Sequence, residues 1–145
     1  MTEYIYMASD QPLILGDLGD RGVHVGSHSF YLTHDHMPPF YFEEVDIDYI
    51  YPINKGKTFE VSSMGTDLPD KGTEIINKNQ KIAVKLLYDY IQELFKEKKA
   101  RFVIIVFVLN GPKIKGPFKQ KACKINSLAL EDLYYEEQSA LEITR

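Results

Sequence analysis

Cysteine occurs once in the 145 residues, at Cys123, and tryptophan is absent. A single thiol excludes an intramolecular disulfide and any zinc site built from several cysteines, and it agrees with a reducing compartment. Lys121 and Lys124 flank Cys123 and would depress the thiol pKa if it were exposed. The simpler expectation is a small residue filling space on a strand. Long apolar runs are missing as well. The longest, Phe102 to Leu109, has eight residues, against about 20 for a membrane-spanning helix, so no membrane span is expected. The first ten residues carry neither a basic stretch nor an apolar segment of leader length, which makes cytoplasmic residence the expectation. There is no internal repeat and no low-complexity segment. Gly-x-Ser-x-Gly, Gly-x-x-x-x-Gly-Lys-Ser/Thr and Gly-x-Gly-x-x-Gly patterns are all absent, leaving serine hydrolase, nucleotide hydrolase and dinucleotide enzyme chemistry without local support.

What is present describes one globular domain over 1–145, with 44% hydrophobic and 26% charged residues. A chain of this length buries roughly 68–70% of its unfolded surface, enough for a core without disulfides or metal. No cofactor is demanded by stability. The net charge of −4 is unevenly laid down: residues 1–54 hold nine acids and one base, residues 55–124 fifteen bases and seven acids, and residues 125–145 five acids and one base. Either the acidic and basic segments face each other in the fold or they form two oppositely charged surfaces.

The hydrophobic pattern predicts an α+β fold: a mixed or antiparallel sheet of about five or six strands with one long amphipathic helix, about 75–98, packed on one face. Apolar residues at Ile82, Ala83, Leu86, Leu87, Tyr90, Ile91, Leu94 and Phe95 form its stripe, and Asn77 with Gln80 can cap its start. Strands are expected at 3–8, within 23–33 as a strand or hairpin closed by Pro38 and Pro39, at 40–51, around 57–62, at 102–109, near 119–125 and at 140–144. Phe102 to Leu109 is apolar on both faces and should be central. The segment 9–22, with three glycines and a proline, reads as a surface loop. Leu130, Leu133 and Tyr134 are spaced for one helical face after a Ser127 cap.

Two clusters carry candidate chemistry. Period two puts Tyr41, Glu43, Val45, Ile47, Tyr49 and Tyr51 on one face of the 40–51 strand and Phe40, Phe42, Glu44, Asp46, Asp48 and Ile50 on the other. Like charges in a row are tolerated when solvated or met by cations, and tyrosines serve well as interface anchors. The leading expectation is therefore a small acidic binding protein that neutralises or regulates another protein, of the inhibitor or immunity-protein type. It would dock a basic partner surface through Tyr41, Glu43, Glu44, Asp46, Asp48, Tyr49 and Tyr51. The second cluster is histidine: His24, His28, His34 and His36 are all the histidines of the chain. His34 and His36 share a side if extended, and with His28 could ligate zinc, or act as acid and base without metal. A metal-dependent or histidine-assisted enzyme is thus an alternative reading. Another is a protein that sequesters a small anionic ligand on the glycine-rich loop with Arg21. The basic stretch Lys113 to Lys124 could contact phosphates, but the acidic total argues against nucleic acid.

Overall fold

The computed structural model describes residues 3–19, 23–25, 28–30, 39–45, 59–64, 67–109 and 117–145. Asn77 opens the one α-helix among them, α1 (Lys78–Lys96). Its carboxamide accepts from the Gln80 N–H at 2.8 Å while the Gln80 side chain accepts from the Asn77 N–H at 2.9 Å. Two of the donors that a helix start leaves open are thereby satisfied, which sets the start at Lys78 rather than near Ile75. At the other end Lys99 turns left-handed (φ 58) and the Ala100 N–H reaches back to the Leu94 carbonyl at 3.0 Å, so the helix stops at Lys96, ahead of Lys98, Lys99 and Arg101. Ala83, Val84, Leu87, Ile91, Leu94 and Phe95 are its buried side. Ile82, Leu86 and Tyr90 flank that stripe, half-buried.

Seven strands make one mixed sheet in the order β2 (Gly16–Leu18), β5 (Phe40–Glu44), β6 (Phe59–Met64), β1 (Glu3–Ser9), β7 (Phe102–Leu109), β9 (Ser139–Thr144), β8 (Lys119–Lys124). Neighbours run antiparallel except β8 and β9, which are parallel. A separate hairpin pairs β3 (Val23–Val25) with β4 (His28–Phe30). The α+β class holds, with seven strands in the sheet rather than five or six. The unexpected strand is β2, inside the segment read as loop. Gly16 (φ 91) and Gly19 (φ 81) bracket it, and this backbone region, open to glycine and strained for other residues, lets the chain turn into and out of three paired residues. A side chain on Gly19 would also collide with Leu86. The strand expected over 40–51 is described as far as Glu44, and that expected around 57–62 runs Phe59–Met64. No helix follows Ser127: residues Leu130–Leu133 form a short 3₁₀ turn instead, where the Asp132 carboxylate accepts from the Ala129 N–H at 2.9 Å and Leu133 is buried.

One face of the sheet receives α1. Ile5 and Met7, Phe40 and Phe42, Val61, Val103, Ile105 and Phe107, and Leu141 and Ile143 join the helix stripe in one core. The alternate residues of β1 and β7, Tyr6, Ala8, Phe102, Ile104, Val106 and Val108, form a second buried cluster with Ala140. Burial on both faces is what the unbroken apolar run of β7 requires, since every residue of a strand covered on each side must tolerate a dry neighbour. The start of β7 is held by two polar ties to the end of β1. The Asp10 carboxylate accepts from the Arg101 N–H at 2.9 Å, and the buried Ser9 hydroxyl donates to the Phe102 carbonyl at 2.9 Å.

The strand order also separates the charges. β2 and β5, carrying Asp17, Glu43 and Glu44, lie at one edge, and β8, carrying Lys119, Lys121 and Lys124, lies at the other. At strand spacings of about 4.8 Å the two edges stand roughly 30 Å apart. The acidic C-terminal segment, by contrast, meets the basic edge directly. Glu136 accepts from Lys119 at 2.7 Å and from Lys121 at 2.9 Å, and these two hydrogen bonds pull its pKa from 4.5 down to about 2. A carboxyl group whose pKa is lower in the folded than in the unfolded chain stabilises the fold above the unfolded value and ceases to as pH falls through the folded one. Glu136→Gln is therefore expected to be less stable than wild type at neutral pH and to converge on it between pH 4.5 and about 2. Urea midpoints measured across that interval check this, and a constant gap between the two proteins would contradict it.

Candidate acidic-rimmed groove

Pro12, Leu13 and Leu15 belong to the link between β1 and β2, and they face the β5–β6 end of the sheet across a groove of about 520 Å³. Its origin lies in the register. β2 pairs with β5 only from Leu18↔Phe40 to Gly16↔Phe42. Before Gly16 the chain departs from β5, and the gap between them is the groove. The departing segment is fixed from behind, because the Ile14 N–H donates to the Tyr90 hydroxyl of α1 at 2.7 Å. Burial pushes the Tyr90 pKa up, and the bond from Ile14 opposes that rise.

Val61, 3% exposed, is the buried member of the lining, whereas Leu15 and Phe59 are open to solvent at 61% and 40%. Large apolar side chains left this open around a concavity mark a binding surface more often than a lone exposed leucine does. Of the two acids in the described lining, Glu44 shares the face of Phe59 and Val61, while Glu60 alternates to the face of Glu43. Glu44 is the last residue of β5. It shares the alternation of Phe40 and Phe42 but lies beyond the core they enter and is exposed.

Of the three described residues expected to bind a partner, Tyr41, Glu43 and Glu44, the groove takes Glu44. Tyr41 and Glu43 point from the opposite face of β5, both exposed, where Tyr41 donates its backbone N–H to Ser63 Oγ at 3.0 Å and Met64 is also open. Asp46, Asp48, Tyr49 and Tyr51 lie outside the described residues, in the stretch joining Val45 to Phe59. Leu15, Phe59, Pro12 and Leu13 were not among the expected site residues. Their signal was the apolar run Leu13-Ile14-Leu15 inside a segment otherwise rich in glycine and aspartate.

Of the histidines, His24 pairs with Ser29 and His28 with Val25 in the β3–β4 hairpin. His34 and His36 lie outside the described residues, as does Arg21. Among the described residues, no group of three or more histidine, cysteine, aspartate or glutamate residues is placed to hold a metal, and no helix is long and apolar enough to cross a membrane. Cys123 sits in β8 opposite Ile143, half-buried. Burial, then the charge of Asp132, push its thiol up, the reverse of the depression that flanking lysines would give an exposed thiol. In the basic stretch, Lys119 and Lys121 are engaged by Glu136, while Lys113 and Lys115 lie outside the described residues. One further polar corner is structural in character: Tyr135 packs edge-on against Phe107, and its buried hydroxyl has no hydrogen-bond partner. Burial and the charges of Glu3, Glu137 and Asp70 raise its pKa.

Compared with protein-family models, curated proteins and solved structures, the chain matches none of them.

Proposed function

We propose that this chain is a small binding protein that regulates or neutralises another protein, and that the groove at its acidic edge is where the partner docks. The observation that carries this reading is the pairing of two exposed apolar walls, Leu15 and Phe59, with the exposed carboxylate of Glu44 around one concavity. Interface centres combine apolar anchors with a polar rim in this way, and charge of one sign around the rim steers the partner and fixes its register. The reading keeps the cytoplasm as the site of action, the compartment that suits a single free cysteine. A second reading, capture of a small ligand, is favoured by the groove volume of about 520 Å³, which lies within the range of small-molecule pockets. The acidic rim, however, disfavours the anion that the glycine-rich loop with Arg21 would select.

The test is site-specific photocrosslinking in the native cells, with a photoreactive phenylalanine analogue at position 15 and, separately, at position 85 on the exposed side of α1. A discrete protein adduct from position 15 that disappears on Glu44→Lys, with none from position 85, is the expected result. No adduct from position 15, or the same adducts from both positions, would overturn the reading.

A further inference from the structure

We infer that the partner element received by the groove is an arginine flanked by a large aliphatic side chain, presented on a surface segment of the partner protein. The inference rests on the protein-binding reading above and specifies its chemistry.

Leu15, Phe59 and Val61 require an apolar insert, since a polar one would displace water from them without compensation. That accounts for the aliphatic half. The cationic half follows from the charge of the site. Glu44 stands on the face of Phe59 and Val61 and lines the groove, and no described lysine or arginine does. The described lysines of β8 lie at the far edge of the sheet, and the exposed Glu44 carboxylate offers a cation an opposite charge at the groove. An acidic insert would be repelled, and a neutral polar one would gain a hydrogen bond to Glu44 without the charge attraction. Between the two cationic side chains, arginine fits better. The Phe59 ring is 40% exposed beside the same groove that Glu44 lines. A guanidinium stacks on an aromatic face and pairs with a carboxylate through two parallel N–H donors, whereas an ammonium is a compact, strongly hydrated point charge.

The experiment titrates the whole ¹⁵N-labelled protein with four capped octapeptides that differ only at two central residues: Leu-Arg, Leu-Lys, Leu-Gln and Gly-Arg. Butylguanidinium is a fifth probe. Leu-Arg is expected to shift the amides of Leu13, Leu15, Val45 and Val61 and to bind at least about tenfold more tightly than Leu-Gln or Gly-Arg, with Leu-Lys between. Glu44→Gln and Phe59→Ala should each remove most of that advantage. Both positions are exposed, and unchanged amide spectra away from the groove would show that the variants fold. Equal binding of Leu-Gln and Leu-Arg at these amides would overturn the cationic preference while leaving the groove a protein-docking site. No shift with any peptide, alongside a persisting crosslink from position 15, would overturn the inference alone. Loss of both signals would overturn the inference and the reading beneath it. Butylguanidinium binding as tightly as the Leu-Arg peptide would make the groove a site for small organic cations and overturn the inference.

Discussion

Phe107→Ala is expected to lower the unfolding free energy by about 3–5 kcal/mol, the usual cost of truncating a fully buried phenylalanine. Phe107 is 0% exposed and sits on β7, opposite Ile5 of β1 and Ser139 of β9. Its ring stands edge-on to Tyr135, with centroids 6.0 Å apart and planes at 89°. Removing it opens a cavity in the core on the helix-covered face of β7, a strand paired on both sides, where backbone relaxation is limited. The same truncation also strips packing from Tyr135, whose hydroxyl is already buried without a partner. A domain is stable by only about 5–15 kcal/mol in total, so the variant should show a much lower urea midpoint with an unchanged slope. Tyr41→Ala, at a side chain 58% exposed on the other face of β5, is expected within about 0.5 kcal/mol of wild type. A Phe107→Ala cost below about 1 kcal/mol would contradict the central placement of β7.

The elements that could be read in advance are those whose local pattern and tertiary surroundings agree. The Asn77 and Gln80 pair, followed by an apolar stripe at helical spacing, is sufficient to place α1. The eight apolar residues of β7 announce burial on both faces, and the short alternations of β1, β8 and β9 sit close to their observed bounds. β2 was unreadable because its evidence is inverted: Gly16 and Gly19 look like breakers, yet their positive φ angles are what allow Gly16, Asp17 and Leu18 to pair with β5. Sheet order lies further still from local sequence, since β1 pairs with β7 across residues 10–101. The groove is a tertiary product of the same kind. Leu13-Ile14-Leu15 reads equally well as core or as exposed wall, and what decides is the bond from Ile14 to Tyr90, 76 residues away. In β5 the alternation was legible, and the structure adds that Phe40 and Phe42 occupy the core while Glu44 on the same side escapes it. The acidic side of the strand is therefore also the core side up to Phe42, which period two alone does not reveal.

Combining Leu15→Asn with Glu44→Lys is expected to weaken partner binding by at least about 100-fold, about 2.8 kcal/mol, while leaving the thermal midpoint within a few degrees of wild type. The two changes remove an apolar anchor and reverse the rim charge that would pair with the partner's cation. Central apolar contacts account for much of an interface's energy, and a like charge placed against the partner's cation adds a repulsive term. Folding should be indifferent to both, because Leu15 is 61% exposed and Glu44 stands outside the core. Calorimetric titration with the crosslinked partner, purified, gives the affinity ratio. An intermediate loss from Glu44→Lys alone, with a slower association rate and a weaker salt dependence, is the signature of its role in steering.

The most direct test of the docking surface is amide hydrogen exchange of the whole protein, free and saturated with that partner. Exchange is expected to slow at residues 13–16, 44–45 and 59–61, with α1 and β8 unchanged. Slowing confined to β8 or to the β3–β4 hairpin, with the groove segments exchanging as in the free protein, would contradict it.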